Sequence, residues 1–425
     1  MILSNVYLWG SKVGIIAQED EHSIPKFSYD KDFISSGIEL SPIVMPLSNK
    51  IYSFPTLNSK TFYLLPGLIA DSLPDRYGNR LIERYLIQQG RKIEDFSIVE
   101  RLLYTGKRAM GALEYMPEKQ IGKTKDSSID IDALVKLASD ILSERENINI
   151  KVKNPTMEQI IKVGTSAGGM RAKAVVAWNK DTNDIRSGQI DNLEGYEYWI
   201  MKFDGVKGNV DDPETASYTK IEYAYYLMAL ACKINMNECR LYEENSRFHF
   251  MTKRFDRIEN GQKLHMQTLG AIAHYDYNLA GEYSYEDAFW VMNKLNLEQN
   301  DIEQFYRRMV FNVIARNQDD HVKNISFLMD KKGTWTLSPA YDMTYSYNPI
   351  GVWTNKHQML INNKSEDISM DDLLKCANYM NISSIRAKNI IKDVKEGVSS
   401  WEEFAKKAFI PKKETEEIRN NFVLL

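Results

Sequence analysis

The sequence predicts an α+β fold, a mixed α/β N-terminal half followed by a mainly helical C-terminal part, on three observations. Short apolar runs recur before about residue 65 and again across 163–205, several of them alternating apolar with polar. Beyond about residue 284 most segments have helical period and few turn signals. One hairpin, around residues 325–337, interrupts that helical stretch.

In chain order, Val6-Tyr7-Leu8-Trp9-Gly10 and Val13-Gly14-Ile15-Ile16-Ala17 are apolar runs separated by a turn. Phe27-Ser28-Tyr29 and Ile51-Tyr52-Ser53-Phe54 alternate as half-buried strands do. Residues 67–89 read as helix, with Ser72-Leu73-Pro74 as a start signal and Ile82, Tyr85 and Leu86 at helical spacing. The polar stretch 118–128 is a linker candidate. The helix after it places Leu134, Leu137, Ala138, Ile141 and Leu142 on one face. Sheet returns with Ala174–Trp178 and Tyr198–Phe203. A helix over 215–232 contains Glu222, which is expected on its solvated face, and Phe248–Met251 is a third strand. The expected domains are 1–120, an α/β subdomain; 121–256, a lobe with a Gly-rich loop; and 257–425, a mainly helical lobe.

Composition narrows the function classes. With 43% apolar and 26% charged residues the chain is an ordinary globular protein, long enough at 425 residues for a sizeable core. A net charge of −4 gives no footprint for general nucleic-acid binding. The three cysteines have no CxxC spacing and the six histidines no HExxH, so reduced thiols in a cytosolic protein are expected. The first residues lack a basic leader with an apolar core, and no run approaches 18 apolar residues, so neither signal peptide nor membrane span is expected.

The chemistry concentrates in Asn317-Gln318-Asp319-Asp320-His321-Val322-Lys323-Asn324 and in Ser338-Pro339-Ala340-Tyr341-Asp342, on either side of the hairpin. Asp319 on a loop can accept and orient a hydroxyl proton, and Asn324 offers a neutral carbonyl oxygen to Mg²⁺. Antiparallel pairing brings Asp342 back beside Asn324. The spacing is that of D-x-x-x-x-N with a later metal-binding Asp, as in phosphoryl transfer; the plain alternative is a turn-rich loop with capping residues. Asp320 is expected to stabilise the loop, and His321 to order it or to contact nucleotide.

Gly164-Thr165-Ser166-Ala167-Gly168-Gly169-Met170-Arg171-Ala172-Lys173 can cradle phosphate with backbone N–H groups, Arg171 and Lys173 adding charge; the alternative is a surface loop. It is neither G-x-G-x-x-G nor a Walker loop. Lys202 in an apolar strand needs a partner, an ATP phosphate or Glu222, unless its head reaches solvent. Lys253-Arg254-Phe255-Asp256-Arg257 is placed like a lobe-connecting segment that touches adenine, or is a solvated charge run.

Taken together these motifs resemble the HipA family of serine/threonine kinases, the toxin component of bacterial type II toxin–antitoxin systems. The resemblance extends over nearly the whole chain, including Phe62–Pro74, Gly111-Ala112-Leu113-Glu114 and His265-Met266-Gln267-Thr268-Leu269. It implies a two-lobed, kinase-like fold with ATP and Mg²⁺ as cofactors. By motif position, Asp319 would be the catalytic base, and Asn324 and Asp342 would hold the metal. ATP contacts would come from Gly164, Ser166, Ala167, Gly168, Gly169, Arg171, Lys173, Lys202, Lys253, Phe255, His321, Asn324 and Tyr341. Ser166 would be an inhibitory autophosphorylation site. The implied partners are a helix-turn-helix antitoxin, DNA only through it, and a protein substrate such as an aminoacyl-tRNA synthetase, with no membrane. At Gly168-Gly169-Met170-Arg171 the chain differs from the best-known member and is closer to other branches of the family, and it lacks the acidic residue often seen before Arg254-Phe255-Asp256. Unlike eukaryotic kinases it has Met343, not glycine, after Asp342, so no movable activation segment is implied. The expected function is a cytoplasmic, growth-arresting protein kinase; the rivals are a small-molecule kinase on the same scaffold and a non-catalytic co-repressor.

Overall fold

The computed structural model describes residues 1–74, 76–88, 90–92, 96–119, 128–142, 171–190, 193–206, 217–258 and 261–424. The chain divides into two compact units. The first comprises Met1–Leu40, Met45–Ala216 and Tyr242–Met266, and the second Ser41–Val44, Ser217–Leu241 and Gln267–Leu425.

The first unit opens with strands β1 (Ile2–Leu8) and β2 (Ser11–Gln18), joined by Trp9 and Gly10 with φ of +51° and +84°. Two positive φ values in a two-residue turn match the right-handed twist of the flanking strands. Trp9 holds this conformation while its indole donates to the Lys263 carbonyl at 2.7 Å. Strands β3 (Lys26–Tyr29), β4 (Ile51–Tyr52) and β5 (Leu113–Met116) complete a sheet of order β4-β3-β2-β1-β5. Its buried face carries Val6, Leu8, Ile16, Phe27 and Tyr115. The helix Ile98–Thr105, capped by the Ser97 hydroxyl on the Glu100 N–H, packs against β1 and β5.

The single helix expected over 67–89 is two helices, Gly67–Ala70 and Arg76–Gln88. Pro74 has no N–H to continue the first helix, so the chain restarts after it. The expected strand 51–54 pairs only at Ile51 and Tyr52.

Strands β6 (Lys173–Asn179), β7 (Asp184–Ser187), β8 (Glu197–Lys202), β9 (Cys239–Glu244) and β10 (Arg247–Lys253) form a second sheet of order β7-β6-β8-β10-β9. β7 was not evident in the sequence, since Asp184-Ile185-Arg186-Ser187 has a single apolar residue. Trp178, Trp199, Met201 and Met251 pack with Leu134, Val135 and Ala138 of the helix Ile131–Leu142.

After β10, the charge run expected either to touch nucleotide or to be solvated contains a buried ion cluster. Asp256 accepts from Arg254 Nε at 2.9 Å, from Arg257 at 2.7 Å and from the Gly111 N–H at 2.7 Å. Burial alone would push its carboxyl up, but the two guanidinium groups outweigh that and hold it well below the usual carboxylate range.

The second unit is mainly helical. Its described helices are Tyr218–Ala231, Leu269–Ala273, Tyr285–Lys294, Gln299–Ile314, Met370–Tyr379, Ser384–Ser399, Trp401–Lys407 and Lys412–Asn420. Capping boxes at Ser284/Asp287 and Ser369/Asp372 start two of them. Strands β11 (His265–Thr268), β12 (Ser326–Met329) and β13 (Trp335–Leu337) form a small sheet of that order. Helix Tyr218–Ala231 is apolar on several faces and Glu222 is 5% exposed, so the solvated position expected for it is not found. Cys232, Cys239 and Cys376 are buried and unbridged. Among the described residues no helix is long and apolar enough to cross a membrane.

Replacing Asp256 with Asn leaves two buried guanidinium groups without their anion, which costs about 3–5 kcal/mol. A calorimetric scan at pH 7 should show a clearly lowered melting temperature. The native carboxyl is depressed, so its contribution is fully present above about pH 4 and shrinks as the pH falls below that. The gap between wild type and variant should close in the same direction.

Candidate functional site

The helix Gln299–Ile314 is buried from Phe305 onward. It ends with Arg316 in the left-handed region at φ +54°, and the Asn317 N–H reaches the Asn312 carbonyl at 3.0 Å. This six-to-one closure turns the chain sharply into the loop 317–324. On the far side the loop runs into β12, which forms the expected hairpin with β13, Phe327 opposite Leu337 and Met329 opposite Trp335. Asp330 accepts from the Lys332 and Thr334 N–H groups at 2.9 Å, closing the turn. Gly333 takes φ +83°. The pairing continues past the strands: the Ser338 N–H reaches the Ser326 carbonyl at 3.0 Å and their hydroxyls meet at 2.8 Å.

Within the loop, the Asn324 amide Nδ2 donates to the Asp319 carbonyl at 2.8 Å. Tyr341, from the returning chain, donates its hydroxyl to the Lys323 carbonyl at 2.7 Å. Asp342 follows with φ +52°, a conformation rare for a residue with a side chain. Asn324 and Tyr341 line one cavity of about 20 Å³ together with Arg308, Asn312, Asn317 and Asp320, room for a single water. Burial pushes the Arg308 guanidinium down to about 10, against the opposing pull of Tyr341 and Asp301.

The two consecutive aspartates differ in environment. Asp320 is buried and saturated, accepting from Tyr285 Oη at 2.9 Å and the Gln358 N–H at 2.8 Å, with His357 Nδ1 at 2.9 Å. It stabilises the loop, as expected. Tyr285 in turn accepts from Asn312 Nδ2 at 3.0 Å, and burial next to Asp320 raises its phenol well above the usual value. The Asp319 side chain is 39% exposed; its Oδ1 accepts from Trp353 Nε1 at 2.7 Å, and His321 Nε2 lies 3.7 Å away.

Asn324 has its amide nitrogen committed to Asp319, so the group it offers is the carbonyl Oδ1, and Asp342 offers a carboxylate. Among the described residues no cluster of three His, Cys, Asp or Glu side chains could hold a metal.

In the first unit, Lys202 lies between β6 and β10. Its register partners are Lys173 on one side and Phe250 on the other, and its ammonium is 5.8 Å from the Phe250 ring centre. The two lysines are thus direct cross-strand neighbours on β6 and β8. Lys253 pairs with Glu197 at 2.5 Å. Gly164, Ser166, Ala167, Gly168 and Gly169 lie outside the described residues, whereas Arg171 and Lys173 lie within them. Tyr285, Trp353, His357 and Gln358 escaped the sequence reading; they reach the loop from 34 to 38 residues away, and no local pattern marks them.

Comparison with known proteins decides the family. Residues 4–116 match the HipA N-terminal domain, and residues 165–401, more than half of the chain, match the HipA-like C-terminal domain. The chain belongs to the HipA family. Over 95 residues it is 32% identical to a Sinorhizobium fredii protein described as "Putative kinase Y4dM". That match covers 21% of this chain and about a fifth, 22%, of the relative. The fold is that of Shewanella oneidensis HipA, solved as a toxin–antitoxin complex with HipB and operator DNA. The TM-score is 0.69 at 15% identity, covering 98% of this chain and 94% of that one. The fold is thus the expected α+β, kinase-like one of the HipA family.

Tyr285→Phe removes one donor from Asp320 and the acceptor of Asn312 without opening a large cavity. It should cost about 1–3 kcal/mol, read as a lower denaturation midpoint with an unchanged m-value.

Proposed function

We propose that this HipA-family protein is an ATP- and Mg²⁺-dependent serine/threonine protein kinase acting in the cytoplasm as a growth-arresting toxin. The observation that carries the reading is the Asp319–Asn324 link, which sets a half-exposed carboxylate and an amide oxygen on one loop. In this reading the Asp319 carboxylate orients the acceptor hydroxyl and takes its proton as the phosphoryl group transfers. Asn324 Oδ1 and the Asp342 carboxylate would hold Mg²⁺, which when bound supplies charge neutralisation on the phosphate oxygens. Lys173, Lys202 and Arg171 stabilise phosphate charge, together with the backbone of Gly164, Ser166, Ala167, Gly168 and Gly169. His321, Tyr341, Lys253 and Phe255 complete the nucleotide contacts. Catalysis is then mostly positioning and electrostatics.

The same reading assigns Ser166 as an autophosphorylation site that switches the enzyme off, because an added phosphate competes for the donors that take ATP. It also assigns a small helix-turn-helix antitoxin as the inhibitory partner and the route to DNA, with no membrane partner. The acceptor would be a protein such as an aminoacyl-tRNA synthetase.

The test is incubation with γ-labelled ATP and Mg²⁺, followed by mass spectrometry of the 164–173 peptide. Label on Ser166 is expected, with none after chelation of the metal. Asp319→Asn should lower transfer at least about a hundredfold while nucleotide still binds. Lys202→Ala should instead weaken nucleotide binding. Growth arrest that persists with Asp319→Asn at equal protein level would refute the kinase mechanism.

A further inference from the structure

The chain after Asp342 does more than leave the site. Residues 348–354 fold into a closed turn, with the Gly351 N–H on the Asn348 carbonyl and the Asn348 N–H on the Thr354 carbonyl, both at 3.1 Å. From this turn Trp353 sends its indole N–H to Asp319 Oδ1 at 2.7 Å. Four and five residues later His357 and the Gln358 N–H engage Asp320. The Gln358 side chain donates back to the Trp353 carbonyl, and the Gln358 carbonyl is anchored by the Gly281 N–H at 2.8 Å. One strap therefore holds both aspartates, and its grip on the exposed one is braced by its grip on the buried one.

We propose that Trp353 is a positioning residue for Asp319, fixing one carboxylate oxygen so that the other is presented to the acceptor hydroxyl. The inference rests on the kinase reading above. An indole N–H is a donor only, so it can hold a carboxylate without competing for the proton that the carboxylate must take. The bond is charge-assisted and hence among the stronger of its kind. A carboxylate on a partly exposed loop would otherwise rotate among several orientations, and transfer needs the reacting groups held close to their productive geometry. His321 lies too far from Oδ1, at 3.7 Å, to do this alone.

The test is Trp353→Phe, which keeps a ring and removes the donor. The readouts are the rate of label transfer from γ-labelled ATP onto the protein as a function of ATP concentration, and calorimetric binding of the Mg²⁺ complex of a non-hydrolysable ATP analogue. A roughly ten- to hundredfold fall in kcat is expected, with KM for ATP and analogue affinity unchanged. Trp353→His, which restores a ring N–H, should recover part of the rate. Unchanged kcat in Trp353→Phe overturns the proposal. A raised kcat also overturns it, making the indole a block on the carboxylate. If Trp353→Phe loses its thermal transition, Gln358→Met, which removes the side-chain donation to the Trp353 and Lys356 carbonyls and leaves the indole in place, takes its place: a smaller fall in kcat at unchanged KM supports the proposal, and no fall overturns it. A wild-type protein that binds the analogue but transfers no phosphate would fail the kinase reading itself, whereas an active wild type with an indifferent Trp353 fails this inference alone.

Discussion

The loop that carries Asp319 depends on a buried charge beside it. A carboxylate taken out of water is tolerated only when its lone pairs meet donors. Asp320 meets that condition with a phenol from one helix and with an imidazole and a backbone N–H from a distant strap. Holding these partners in place fixes the backbone on either side. On one side that backbone presents the Asp319 carbonyl to Asn324, and on the other it leads into a hairpin whose pairing runs on to Ser338. The order of Asp319 and Asn324 thus depends on the buried Asp320 between them.

Much of this loop was legible in the sequence because its determinants are local. The hairpin follows from two short apolar runs around an Asp-Lys-Lys-Gly turn, and its strands end within a residue of the expected bounds. The five-residue spacing from Asp319 to Asn324 was likewise readable, as was the helical run before it. The second tier of the site was not. Trp353, His357 and Gln358 sit in a polar, turn-rich stretch that has no periodicity, and only the folded chain brings them back. Elsewhere, the strand Asp184–Ser187 was missed because pairing, not apolar content, defines it. The helix expected over 67–89 was overrun because periodicity on both sides masked the break at Pro74.

The first unit shows a different economy of charge. Lys173 and Lys202, which the proposed function directs at phosphate, face each other across β6 and β8 by register. After β10, Arg254 and Arg257 are neutralised by Asp256, which also accepts from the Gly111 N–H, 145 residues away from it. In the proposed reading, basic residues of one unit therefore have opposite uses, some directed at a ligand and some consumed in holding the fold. Sequence composition does not separate the two.

Arg316 gives the helix-to-loop turn a reach that glycine would lack. Its Nε donates to the Asn421 carbonyl at 2.9 Å and its guanidinium lies 4.6 Å from the Tyr347 ring centre, while the Val423 N–H closes on the Ile314 carbonyl at 3.0 Å. Residues 421–423 and the start of the 317–324 loop are therefore mechanically linked. Trimming residues 421–424 would unfasten the hinge from which the Asp319 loop springs, so damage about a hundred residues away in sequence would surface as lost order at the loop's first residue.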